Sequence, residues 1–168
     1  NNVFITEECI TINEELLTDK IVFANGAKQT IQDLKSRDKY KFFSYNDNIV
    51  LSDHIYNYTA DEFRVFKDKH IIISGSSHGS MSVLNAFIEK NIDYSKITLL
   101  VIRDFKVYFS DETKCAELNY QYCKGDICSE TGKINRFDGL REKSKELFLN
   151  LHKYKNIEIL KYNDSEII

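Results

Sequence analysis

Two rhythms of apolar and polar positions run along this chain. Short apolar runs mark strands, and a 3.6-residue recurrence marks helices. The sharpest unit begins with His70-Ile71-Ile72-Ile73-Ser74, an apolar run that predicts a buried strand. Over residues 80–91, Met81, Leu84, Phe87 and Ile88 recur at helical spacing and predict a helix. Residues 97–102 (Ile-Thr-Leu-Leu-Val-Ile) follow as a near-continuous apolar strand, the kind a parallel sheet covers on both faces. Strand, helix and strand make one βαβ unit, whose crossover is right-handed almost by rule.

Weaker patterns flank this unit. Upstream, residues 2–6, 9–13, 20–24 and 48–52 read as short strands. Residues 28–36 read as a short helix or an irregular connection, and 54–68 as a loop with a helical turn. Downstream, 113–123 reads as a helix and 125–138 as a loop punctuated by Gly125, Gly132 and Asn135. Asp138 is placed to cap a helix over 139–154, with Leu140, Leu147 and Leu151 on one stripe and Phe148 beside it. Residues 156–162 predict a third parallel strand. The pattern predicts an α/β fold: a Rossmann-like three-layer unit with a parallel sheet over residues 69–168, preceded by a β-rich segment and connector over 1–68.

Between the buried strand and its helix lies Gly75-Ser76-Ser77-His78-Gly79-Ser80. A strand feeding a helix through a small-residue turn is where α/β folds place phosphates or nucleophiles. As Gly75-x-Ser77-x-x-Ser80, the turn is a variant of G-x-G-x-x-G with serine at the second and third glycine places. As Gly75-x-Ser77-x-Gly79, it satisfies the G-x-S-x-G formula of a nucleophile elbow. In that case Ser77 is the nucleophile, with Asp104 or Asp126 and then His152 following in chain order.

The order of these pieces resembles the middle of the flavin-dependent pyridine-nucleotide oxidoreductases and monooxygenases with two dinucleotide-binding domains. Thr18-Asp19-Lys20-Ile21-Val22-Phe23-Ala24-Asn25-Gly26-Ala27 resembles the segment beneath the flavin that ends in Ala-Thr-Gly, with Asn25 where threonine is usual. Ile49-Val50-Leu51-Ser52 resembles the approach to the second unit, residues 70–80 its glycine-rich turn, and Asn156-Ile157-Glu158-Ile159 its third strand. The resemblance implies a part that binds NADP or NAD over Gly75, Ser76, Ser77, His78, Gly79 and Ser80. Its NAD(P)H would deliver hydride to FAD held in a parent chain or a partner flavin-binding domain. Arg103, 28 positions after Gly75, would favour the 2′-phosphate of NADPH, whereas Asp104 would favour NADH. The family's first glycine-rich turn, which holds the flavin pyrophosphate, has no counterpart in this sequence. The segment 125–141 has no assigned role in this comparison.

Composition narrows the alternatives. A length of 168 residues suffices for a real core. A net charge of −3 gives no basic footprint for nucleic acid. No run approaches 18 apolar residues, so no membrane span is expected. The N-terminal residues lack a signal-peptide pattern, which gives a cytoplasmic expectation. Cys9, Cys115, Cys123 and Cys128 contain no C-x-x-C pair, so a reduced chain without a zinc site is expected. His78 at a helix start reads as a surface polar residue, although its place invites a contact with phosphate. Arg136 and Arg141 read either as an anion clamp or as solvated charges. Tyr40, Tyr45, Tyr56 and Tyr58 read as half-buried packing or an interdomain face. Three classes stay open: a nucleotide-binding oxidoreductase part, a serine hydrolase, and a non-catalytic interaction module with a decayed nucleotide site.

Overall fold

The computed structural model describes the backbone of residues 3–5, 10–12, 15–18 and 20–23, and backbone with side chains over 49–161. Three strands, β1 (Val3–Ile5), β2 (Ile10–Ile12) and β3 (Glu15–Thr18), form an antiparallel sheet in that order. Five more form a separate parallel sheet: β4 (Lys20–Phe23), β5 (Ile49–Leu51), β6 (His70–Ser74), β7 (Lys96–Val101) and β8 (Ile157–Lys161). Their spatial order is β5-β4-β6-β7-β8, and every neighbouring pair is parallel. The helices are α1 (Ser52–Ile55), α2 (Ala60–Phe63), α3 (His78–Glu89), α4 (Glu112–Glu117) and α5 (Glu142–Leu149). The fold is α/β, with a parallel sheet and a small β-rich segment before it.

Strand β6 is apolar throughout its middle because both of its faces are covered. Ile71 and Ile73 share one face with Ile97, Leu99 and Val101 of β7. That face packs under α3, whose Met81, Val83, Leu84 and Phe87 are buried at the expected helical spacing. Phe87 meets Phe63 and Phe66 edge-on, with ring centroids 5.3 and 5.0 Å apart. Fully burying each such side chain contributes roughly 1.5–3 kcal/mol. On the opposite face Ile72, Thr98 and Leu100 are also buried. Helix α3 stops where Asn91 takes a left-handed backbone (φ 49°), a conformation asparagine tolerates after a helix.

Several sequence expectations change. The unit drawn over 69–168 reaches back to β4, because β4 and β5 pair into its sheet. Periodicity marks a strand without naming its partner. The stretch 54–68, expected as a loop with a helical turn, begins inside α1 and holds α2 and a 3-10 turn (Arg64–Phe66). Thr59 and Glu62 start α2 with a capping box: the Thr59 N–H donates to Glu62 Oε2 at 2.7 Å, and the Glu62 N–H to Thr59 Oγ1 at 3.3 Å. The helix expected over 139–154 is confined to α5 and a 3-10 turn (Leu151–Lys153), because Leu140 bridges to Val107 and holds the chain extended. The helix expected over 113–123 ends at Glu117, and Asn119 then turns left-handed (φ 51°). The expectation for 28–36 lies outside the described residues.

Between β7 and α5 the chain makes an excursion with its own small core. Val107, Phe109, Cys115 and Ile134 are buried there, with Tyr120 against Phe109. Bridges Val107–Leu140, Phe109–Ile134 and Ile127–Ile134 tie its two ends together. Among the described residues no helix is long and apolar enough to cross a membrane.

Candidate functional site

The sheet changes direction of growth between β4 and β6. The chain first adds β5 on one side of β4, then adds β6, β7 and β8 on the other. In open α/β sheets such a switch point leaves a crevice at the carboxyl ends of the strands. The turn 75–77 leaves β6 into that crevice. Gly75 has φ 128°, a backbone that favours glycine, and its N–H donates to the Leu100 carbonyl of β7 at 3.0 Å.

Helix α3 begins one residue after Ser77, which is its N-cap with an extended backbone (φ −127°, ψ −178°). Ser80, two positions into the helix from His78, is completely buried. Its hydroxyl donates to the Ser77 carbonyl at 2.8 Å and accepts the Ser77 N–H at 3.3 Å. The first bond within the helix runs from the Met81 N–H to the Ser77 carbonyl. A helix start leaves four N–H groups without intrahelical acceptors. Ser77 and Ser80 satisfy each other as a capping box, so the amides of His78 and Gly79 are the donors left to face the crevice. Together with the positive end of the helix dipole, they can receive an anion.

The imidazole of His78 is exposed, and its Nε2 accepts the N–H of Arg141, the N-cap of α5, at 3.1 Å. That bond requires a neutral ring with its proton on Nδ1. It also ties the start of α5 to the start of α3. Tyr56 secures the same turn from the other side: its hydroxyl donates to the Gly79 carbonyl at 3.2 Å, and burial raises its phenol above the usual range. Tyr58 is half-buried against Phe63 and Phe66, whereas Tyr40 and Tyr45 lie outside the described residues.

At the end of β7, Arg103 and Asp104 are both exposed. Asp104 pairs with Lys161 of β8 at 2.7 Å, whereas Arg103 makes no ion pair among the described residues. Arg103 is therefore the available cation at this strand end.

The hydrolase constellation is not assembled. A nucleophile elbow holds its serine on a strained backbone. Ser77 is extended and unstrained, with its main chain engaged by Ser80. His152 lies in the 3-10 turn that leads into the amino end of β8, and Ser77 follows the carboxyl end of β6. Because the strands are parallel, the two residues sit at opposite ends of the strands. Asp104 is held by Lys161, and Asp126 by Lys106 at 2.9 Å.

Arg136 and Arg141 do not form an anion clamp. Arg136 Nη1 reaches Cys128 Sγ at 3.4 Å and Glu130 Oε2 at 3.3 Å. Arg141 donates to the Arg136 carbonyl and lies over the Tyr108 ring, 4.6 Å from its centroid. A residue missed by the sequence reading is Cys128. The Thr131 hydroxyl, the Arg136 guanidinium and the Glu130 amide bond to its sulfur and lower its thiol to about 7. Among the described residues no group of three His, Cys, Asp or Glu side chains is placed to hold a metal ion.

Searches of protein-family models, of curated proteins and of solved structures return no match to this chain.

Proposed function

We propose that the chain is the pyridine-nucleotide-binding part of a flavin-dependent oxidoreductase, holding NAD(P)H for hydride transfer to a flavin carried by another domain or chain. One observation carries the reading. The small-residue turn 75–77 leaves the central strand at the switch point of an open parallel sheet and ends at the start of a twelve-residue helix. Numbered along the chain, the spatial order β5-β4-β6-β7-β8 is 2-1-3-4-5, an open α/β order whose nucleotide crevice lies at the switch point between its first and third strands, here β4 and β6.

The chain's own groups have defined tasks in this reading. The amides of His78 and Gly79 hold the pyrophosphate. Gly75 permits the tight exit from β6, and Ser80 lets α3 pack closely because its hydroxyl is turned back on the cap. Arg103 meets the 2′-phosphate, since Lys161 neutralises the neighbouring Asp104. The nicotinamide ring supplies the redox chemistry, and the protein supplies position and charge.

Thermal unfolding with and without millimolar NADPH and NADH tests the reading. NADPH raises the midpoint more than NADH, Gly75→Val abolishes the rise, and Arg103→Glu removes the preference for NADPH. No stabilisation of the wild-type chain by either nucleotide overturns the proposal and leaves a non-catalytic module as the better account.

A further inference from the structure

The excursion between β7 and α5 carries a side chain that its own packing does not explain. Phe137 is 85% exposed, the most exposed of the large apolar side chains among the described residues. A single exposed phenylalanine is ordinary on a protein surface. What distinguishes Phe137 is the way its loop is held. The Arg136 guanidinium lies 5.1 Å from its ring centroid. The Arg136 carbonyl is in turn bonded by the Arg141 guanidinium, and the Arg141 N–H is bonded by His78 at the first position of α3. Behind it, Gly139 donates to the Asn135 carbonyl at 2.9 Å, and the Asn135 side chain donates to the Val107 carbonyl at 3.0 Å. An exposed ring is thus fixed in a braced loop, two hydrogen bonds away from the candidate anion site.

The excursion leaves the carboxyl end of β7, just past Arg103, and returns at the start of α5. In a dinucleotide site with its pyrophosphate on α3, the end of the following strand receives the adenosine ribose. The segment that carries Phe137 therefore leaves the sheet at the strand end that would receive the adenosine.

We infer that Phe137, backed by Arg136, is a stacking platform for the adenine ring of the nucleotide. The inference rests on the nucleotide-binding reading and adds a specificity-determining residue to it. An aromatic face offered to solvent gains from stacking on a planar base, and a guanidinium against its other side adds a cation–π contact. The platform requires a purine half and is indifferent to nicotinamide. It selects NAD(P)H and 2′,5′-ADP over nicotinamide mononucleotide.

The chain contains no tryptophan, so Phe137→Trp creates a single reporter at this position. The experiment titrates NADPH, 2′,5′-ADP and nicotinamide mononucleotide against the wild type, Phe137→Ala and Phe137→Trp, reading thermal shift for all and indole emission for the last. The expected result is about a tenfold loss of affinity for NADPH and 2′,5′-ADP in Phe137→Ala. Phe137→Trp retains affinity, and 2′,5′-ADP quenches its emission whereas nicotinamide mononucleotide does not. Nucleotide binding that Phe137→Ala leaves unchanged, or that leaves the indole emission of Phe137→Trp unmoved, overturns the platform while the nucleotide site stands. A wild type that binds neither NADPH nor 2′,5′-ADP overturns both.

Discussion

The buried hydroxyl of Ser80 donates to the carbonyl of Ser77 at 2.8 Å and receives the Ser77 amide in return. This pair starts α3 and turns the Ser77 amide back onto the helix. Ser80→Ala removes both bonds and leaves the Ser77 amide without its acceptor. The expected loss is about 1 kcal/mol of stability, read as a lower urea midpoint with unchanged m-value. Ser80→Gly also frees the Ser77 amide toward the crevice, and is expected to tighten NADPH binding while costing stability.

Gly139 is required by backbone, not by conformation. A Cβ there would lie 2.5 Å from the Tyr108 nitrogen and 2.7 Å from the Asn135 oxygen, and neither backbone atom can swing aside. Gly139→Ala is expected to cost about 1–3 kcal/mol by overpacking. Calorimetry should show the lowered midpoint. By contrast Gly125, with open space around it, should accept alanine without measurable loss.

Cys128 is expected to react ahead of Cys115. Its ionised form is held by Thr131, Arg136 and the Glu130 amide, which bring the thiol down to about 7. Cys115 is buried, and its thiol is pushed up by that burial. Iodoacetamide should therefore label Cys128 with a rate that rises through pH 7, ahead of Cys115, as peptide mapping can read. Arg136→Ala moves this profile to higher pH. The linkage has a definite sign: the folded thiol is more acidic than the unfolded one. The stability it contributes is present above the unfolded value, and falls away as pH drops through about 7.

A polar line crosses three strands on the second face of the sheet. Thr98 donates its single hydroxyl proton to Glu158 Oε1 at 2.9 Å, so His70 Nε2, also at 2.9 Å, must be the donor to Thr98. Lys96 meets the same Glu158 oxygen at 2.7 Å. Thr98→Val breaks the line at its buried centre and is expected to cost about 1–3 kcal/mol, measured by chemical denaturation. Lys96 first, and Thr98 as well, hold the Glu158 carboxyl below its usual range. Its contribution is full above the ordinary glutamate range and is lost as pH falls through the depressed folded value. An acid titration of Glu158→Gln should show a shallower loss of stability than the wild type over that interval.

The unit β6-turn-α3-β7 was legible because its signals are local. A three-isoleucine strand, a glycine exit and a helical apolar stripe each need only their own neighbours. The membership of β4 and β5 was not legible, since a parallel strand does not announce which strand it pairs with. The excursion 103–141 resisted reading for a related reason. Val107–Leu140 and Phe109–Ile134 join residues far apart in the chain, and the loop between them has no period of its own. Within the turn, Gly75 and the helix start were readable, whereas the closure of Ser80 on Ser77 was hidden. Serine at the third position lacks the Glu or Gln that signals a capping box. Cys128 gave no sequence signal at all, because its neighbours Thr131 and Arg136 reach the sulfur only through the fold of the 128–136 loop.

The order β8-β7-β6-β4-β5 carries a topological consequence. If the polypeptide were opened before β6, and the end of β8 were spliced through a helix to the start of β4, the circularly permuted product would traverse the same five strands with an uninterrupted 3-2-1-4-5 connectivity. The segments that flank the crevice would then be synthesised in the reverse order, with the central strand emerging first from the ribosome instead of third.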